Sequence, residues 1–197
     1  MRIKSKNIYE NIQELMAAVN DGTASAGDEL ITSDIDGEAV FILIRIGKKK
    51  IKLIRKWILK EKKPMRTDNF DLKKWLETKY RDSLPEELKT LNPKVRLLKE
   101  IEVFGKNEVG IKEKGKQIKY FKNVKHRITA FNSCDEYSRW WWLDTPCEEG
   151  DVVSATYFAL VNLSGYCNGA GASSAGIGIR PVFVICWSGI TPLHGAL

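Results

Sequence analysis

The period of hydrophobic and polar positions changes several times along this chain. Ile8, Ile12, Leu15, Met16 and Val19 recur at helical spacing, which predicts an amphipathic helix over residues 7–19, stopped by Asn20-Asp21-Gly22. Residues 30–32 and 38–46 read as strands around the turn Asp34-Ile35-Asp36-Gly37, and 49–59 returns as a further strand after Gly47. Leu72, Trp75, Leu76 and Tyr80 share a face, so 69–83 reads as a second helix, opened by Thr67-Asp68-Asn69. Ser83-Leu84-Pro85-Glu86 has the form of a capping box with a first-turn proline, and predicts a short helix ended by Asn92-Pro93. Residues 95–103 read as a strand, 104–119 as a Gly- and Lys-rich solvated hairpin or loop, and the chain from Tyr120 onward as short strands and long loops. Alternation over 156–163 predicts a strand with Tyr157, Ala159, Val161 and Leu163 on one face.

Length and composition fit this picture. A chain of 197 residues, 43% apolar and 29% charged, has the makeup of one ordinary globular unit with a substantial core. Its strongest apolar run, 39–44, is strand length and far too short to cross a membrane. Glu10 and Glu14 interrupt any apolar signal-peptide core, so a product made and folded in a cytoplasm is expected.

Charge divides the chain more sharply than hydropathy does. Residues 1–44 carry a balance of −5, residues 45–127 of +16 and residues 128–197 of −4. The last third is rich in glycine and tryptophan, and holds all four cysteines: Cys134, Cys147, Cys167 and Cys186. Their spacings fit no zinc pattern, and buried reduced thiols are expected. Neither a phosphate loop nor a nucleophile elbow is present. The glycines of 165–178 lead into a strand, whereas a phosphate cradle needs a helix there. His126 and His194 are isolated, and Glu148, Glu149 and Asp151 read as a solvated acidic loop. No enzyme, cofactor or metal site is therefore expected. The basic run from Lys48 to Lys63, with Trp57 inside it, is the alternative that matters: it points to a nucleic-acid-binding protein using this region.

Two C-terminal segments carry a resemblance. Trp140-Trp141-Trp142-Leu143-Asp144-Thr145-Pro146 is followed by a long loop region and then by Gly178-Ile179-Arg180-Pro181-Val182-Phe183-Val184-Ile185. Upstream stand Phe70-Asp71-Leu72-Lys73-Lys74-Trp75-Leu76-Glu77 and Ser83-Leu84-Pro85-Glu86-Glu87-Leu88. Over roughly residues 28–187 the chain resembles a family of phage, prophage and gut Firmicutes surface domains with WWL and G(V/I)RP segments. That resemblance implies an α+β, C-type lectin-like fold, with two helices beside small twisted antiparallel sheets and long C-terminal loops. It divides the chain into a helical extension, 1–27, and a lectin-like domain, 28–197. Asp144-Thr145 departs from the family's usual Arg-Ser, and the calcium motifs of sugar-binding lectins are absent.

By the same resemblance the protein is a non-catalytic ligand- or receptor-binding protein of a phage or prophage. It would be a virion surface or tail component, or the variable protein of a diversity-generating retroelement, and its partner a protein or glycan on a cell surface. The implied ligand-binding residues are Trp141, Asp144, Tyr157, Asn162, Ser164, Tyr166, Asn168, Ser173 and Ser174, a Tyr/Ser/Asn chemistry suited to adaptable contacts. The apolar stripe of the first helix offers a route to a homo-oligomer.

Overall fold

The computed structural model describes residues 6–132, 139–149 and 152–186. A six-stranded mixed sheet forms its frame. In chain order its strands are β1 (Ile8–Tyr9), β2 (Glu29–Asp34), β3 (Gly37–Gly47), β4 (Lys50–Arg55), β7 (Lys94–Arg96) and β11 (Val182–Cys186), arranged β1-β2-β3-β4-β11-β7. Only the β1–β2 pair is parallel. A second sheet, in the order β10-β9-β8, holds β8 (Trp141–Glu149), β9 (Val152–Val161) and β10 (Cys167–Gly171). β5 (Arg66–Thr67) and β6 (Phe70–Asp71) make a small ribbon.

This architecture overturns the lectin-like expectation. Strand content exceeds helix content, and the frame is a wide mixed sheet, not two helices beside small sheets. The helices are short. α1 spans Ile12–Asn20, α2 spans Leu72–Trp75 and continues as a π-helical turn over Leu76–Tyr80, α3 spans Glu86–Lys89, and α4 spans Glu100–Phe104. None among the described residues is long and apolar enough to cross a membrane.

The N-terminal segment is part of the frame. Ile8 and Tyr9 belong to β1, and the helix begins only at Ile12, where the Asn11 side chain accepts the Glu14 N–H at 2.9 Å. Ile12, Leu15 and Met16 are buried in the main core, so the apolar stripe of α1 is spent within its own chain. The second helix starts later than its sequence signal, because Asp71 rather than Asn69 caps it, accepting from Lys73 and Lys74 N–H. Ser83 forms no capping box; its hydroxyl donates to the Tyr80 carbonyl at 2.7 Å.

Residues 95–103 do not form one strand. β7 ends at Arg96, and Glu102 turns back to accept the Lys99 N–H at 3.0 Å, which starts α4. Gly105 closes that helix in the left-handed region, with φ 79°.

Two apolar clusters lie on opposite faces of the same strands. In β3, Phe41 and Leu43 enter one cluster while Ile42 and Ile44 enter the other. In β8 and β9, Trp142, Phe158 and Leu160 face one cluster, and Trp141, Leu143, Ala159 and Val161 the other. That is why 39–44 is continuously apolar: its strand has no solvent face. The same cause corrects the reading of 156–163, where burial covers both faces from Phe158 to Val161 while Tyr157 and Leu163 stay exposed.

The tryptophan segment and the Gly-Ile-Arg-Pro segment meet directly. Gly178 N–H donates to the Trp140 carbonyl at 2.8 Å, and Trp142 N–H donates to the Gly178 carbonyl at 3.1 Å. A Cβ on Gly178 would lie 2.5 Å from Ile58 Cδ1 and 2.9 Å from the Trp140 carbonyl oxygen, so only glycine permits this approach. Arg180 and Pro181 then run beside 55–59, and Val182 opens β11 on β4.

Candidate functional site

Where the 178–181 segment crosses the end of β4, a groove opens over the face of the sheet. It has two adjoining lobes of about 560 and 610 Å3, which share Ile42, Lys56, Tyr120 and His126. Arg180, Thr129 and Ile42 contribute to the first lobe from beneath, and Trp57, Ile128 and Leu163 contribute apolar surface. The second lobe runs toward Asn7 and 25–29.

Arg180 is the least ordinary residue of the groove. Its side chain is 2% exposed, and no carboxylate pairs with it among the described residues. Its Nε donates to the Arg55 carbonyl at 2.9 Å, and its terminal nitrogens donate to the His126 and Lys56 carbonyls at 3.3 and 3.4 Å. The guanidinium also lies 5.2 Å from the ring centre of Trp141. Burial pushes Arg180 down to about 10, which still leaves it charged at neutral pH. Carbonyl dipoles and a ring face partly offset that charge and do not cancel it.

The walls supply aromatic faces and further cations. Tyr120 and His126 stack with ring centres 4.0 Å apart and an interplanar angle of 14°. His126 Nδ1 lies 2.7 Å from the Tyr120 carbonyl, so Nδ1 carries the proton. Burial raises the Tyr120 phenol, with the charge of Arg180 pulling the other way. Two short 3-10 turns, Lys119–Lys122 and Val124–His126, hold this pair and place Lys125 on the rim. Thr129 donates its hydroxyl to the Lys56 carbonyl at 2.9 Å.

The acids of the second lobe are committed. Asp28 accepts from Asn7, the Tyr9 hydroxyl and the Ser25 N–H. Glu29 pairs with both Lys6 and Lys56. The lining thus offers a net cationic, aromatic surface.

The sequence-predicted ligand residues fall into separate places. Trp141 is fully buried and donates its indole N–H to the Arg127 carbonyl at 2.8 Å, so it offers no surface to a ligand. Asp144 pairs with Lys73, away from the groove. Asn162 shapes a turn: its side chain accepts the N–H of Ser164 and Tyr166 at 2.9 and 3.0 Å. Ser164 and Tyr166 are exposed at that turn, and Leu163, just before them, reaches the first lobe. Tyr157, opposite Gly171, lies with Ser173 and Ser174 toward the other end of the β9–β10 hairpin, about 13 Å from Val161 along an extended strand. Asn168 is exposed in β10 between the two groups. They are two patches, not one site.

The basic run 48–63 is spent only in part inside the fold. Lys52 pairs with Glu102, Arg55 with Asp34 and Asp36, Lys56 with Glu29 and Lys63 with Glu61. Lys48, Lys49, Lys50, Lys60 and Lys62 form no ion pair among the described residues. Cys147 is buried, and Cys167 and Cys186 are free thiols, half-buried and exposed respectively. Cys167 donates to Glu100 at 3.1 Å, and burial together with that carboxylate raises its thiol. The described residues hold no cluster able to ligate a metal. Cys134, Asp151 and His194, and the side chains of Glu148 and Glu149, lie outside the described part.

Sequence reasoning missed Tyr120, Thr129 and Lys125 as a group. The signal available for them was a lysine-rich stretch with interleaved aromatics, Tyr120 to His126, which gave no period to read. No curated protein and no solved structure matches the chain. A family model does match residues 74–187, more than half of the chain and including the Arg180 segment, and the chain therefore belongs to the family described as a domain of unknown function, DUF6273.

Proposed function

We propose that this protein is a non-catalytic binding protein, and that its ligand places an anionic group in the groove above Arg180. One observation carries the reading: a buried guanidinium with no carboxylate partner among the described residues, at the base of an open groove. An incoming anion recovers electrostatic energy that burial has cost this side chain. Lys125 adds cationic character, and Trp57, Tyr120 and His126 offer surface to a ring carried by the ligand. The turn of Leu163, Ser164 and Tyr166 forms an outer rim. The exposed turn thus borders the groove, and the centre of binding lies inside it. Asp28 and Glu29 are held by hydrogen bonds and ion pairs, which leaves the cations and rings of the lining to set its character.

Calorimetry with inorganic phosphate as the probe tests this. Saturable binding is expected, weakened severalfold in Lys125→Gln, whose exposed side chain contributes to the rim and not to the core. Absence of saturable binding, or equal binding by Lys125→Gln and the parent protein, contradicts the proposal.

A further inference from the structure

The fold neutralises its basic residues selectively. On the frame strands Lys52, Arg55 and Arg96 are paired with acids, while Arg45, Lys50 and Lys94 are exposed and form no ion pair among the described residues. Lys112, Lys114, Lys116, Lys119, Lys122 and Lys125 are all exposed, and none forms an ion pair among the described residues. The two acids nearest in the chain are occupied elsewhere: Glu108 pairs with Lys106, while Glu113 turns inward to Lys99 and to the Thr145 hydroxyl. Gln117 also turns inward and donates to the Val103 carbonyl at 2.9 Å. Inward Glu113 and Gln117 therefore leave Lys112, Lys114 and Lys116 pointing to solvent in alternation. Lys119 and Lys122 follow at a spacing of three within one 3-10 turn, where such side chains eclipse. Lys125 then belongs to the groove itself. A lysine ridge of one sign thus leads along the chain into the aromatic cleft of Trp57, Tyr120 and His126.

We infer that the ridge and groove together bind single-stranded nucleic acid. This rests on the anion-binding reading of the groove and names its ligand. The ridge would follow phosphates, releasing their condensed counterions, and the aromatic faces would take a base, a contact open to any base. A single strand fits better than a duplex. The ring faces sit inside a groove, and a duplex keeps its base faces stacked away from such surfaces.

Fluorescence anisotropy of the full chain with an oligothymidylate tests the inference, with a blunt duplex and inorganic polyphosphate as comparators, across a salt series. The single strand is expected to bind most tightly. Replacing Lys112, Lys114 and Lys116 together with glutamine should reduce the slope of log affinity against log salt by about 2. Trp57→Ala should weaken single-strand binding by about tenfold. An unchanged slope overturns the inference. So does polyphosphate or duplex binding as tightly as the oligonucleotide, which would mark a general polyanion surface instead. Phosphate binding in the groove without oligonucleotide binding ends this inference and leaves the function proposed above standing; loss of both ends both.

Discussion

At the scale of single residues, buried charge is handled in two ways. Most buried cations have acids. Glu102 accepts two bonds from Arg96, both at 2.7 Å, pairs with Lys52 and accepts the Lys99 N–H. Burial alone would discourage its ionisation, but the Arg96 bonds and charge, then Lys52 and the Lys99 N–H, outweigh it and hold the carboxyl at about 2. A carboxyl held below its ordinary value of 4.5 stabilises the fold above that value and loses its contribution as pH falls toward about 2. Denaturant titrations from neutral pH to about pH 2 should therefore show a loss of stability across that window. Glu102→Gln should cost about 3 kcal/mol at neutral pH and flatten the acid dependence. An unchanged acid limb in the variant would show that other groups set it. Arg180 is the exception, a buried cation held by carbonyls and an indole face. Its unmatched charge was not legible in the sequence, since that depends on which groups surround it in space.

At the scale of elements, legibility followed the strength of the local pattern. β2, β3 and β4 and the faces of α1 and α2 were written in periodicity and turn residues. The conversion of Glu100–Phe104 from expected strand to helix was not, because it depends on side chains that bond to backbone. Glu102 caps the helix start, while Glu100 accepts the N–H groups of Val109 and Gly110 at 3.1 and 2.9 Å. The tryptophan and Gly-Ile-Arg-Pro segments were recognisable as a pair, and their physical link is the close approach at Gly178. Gly178→Ala should therefore cost about 2 kcal/mol, read by chemical denaturation, because Ile58 and the Trp140 carbonyl must both give way. Parent-like stability would mean that this crossing has slack which the packing does not suggest.

At the scale of the whole molecule, two sheets share two apolar clusters, and the groove opens where the crossing segment leaves the frame. The sequence showed strand and helix mixed together but not the width of the principal sheet, since β11 joins β4 across more than a hundred residues. The groove was invisible for the same reason. Trp57, Tyr120, Thr129 and Arg180 come from four separated stretches, and only the fold gathers them.

The central claim is the location of binding, and NMR titration of the isotopically labelled full chain with inorganic phosphate tests it most directly. The account predicts saturable shifts of the Trp57 indole N–H and the Arg180 Nε–H, with Tyr157 and Ser173 unmoved. Shifts confined to the Tyr157–Ser173 end of the hairpin, or no saturable shift at Trp57 and Arg180, would contradict it.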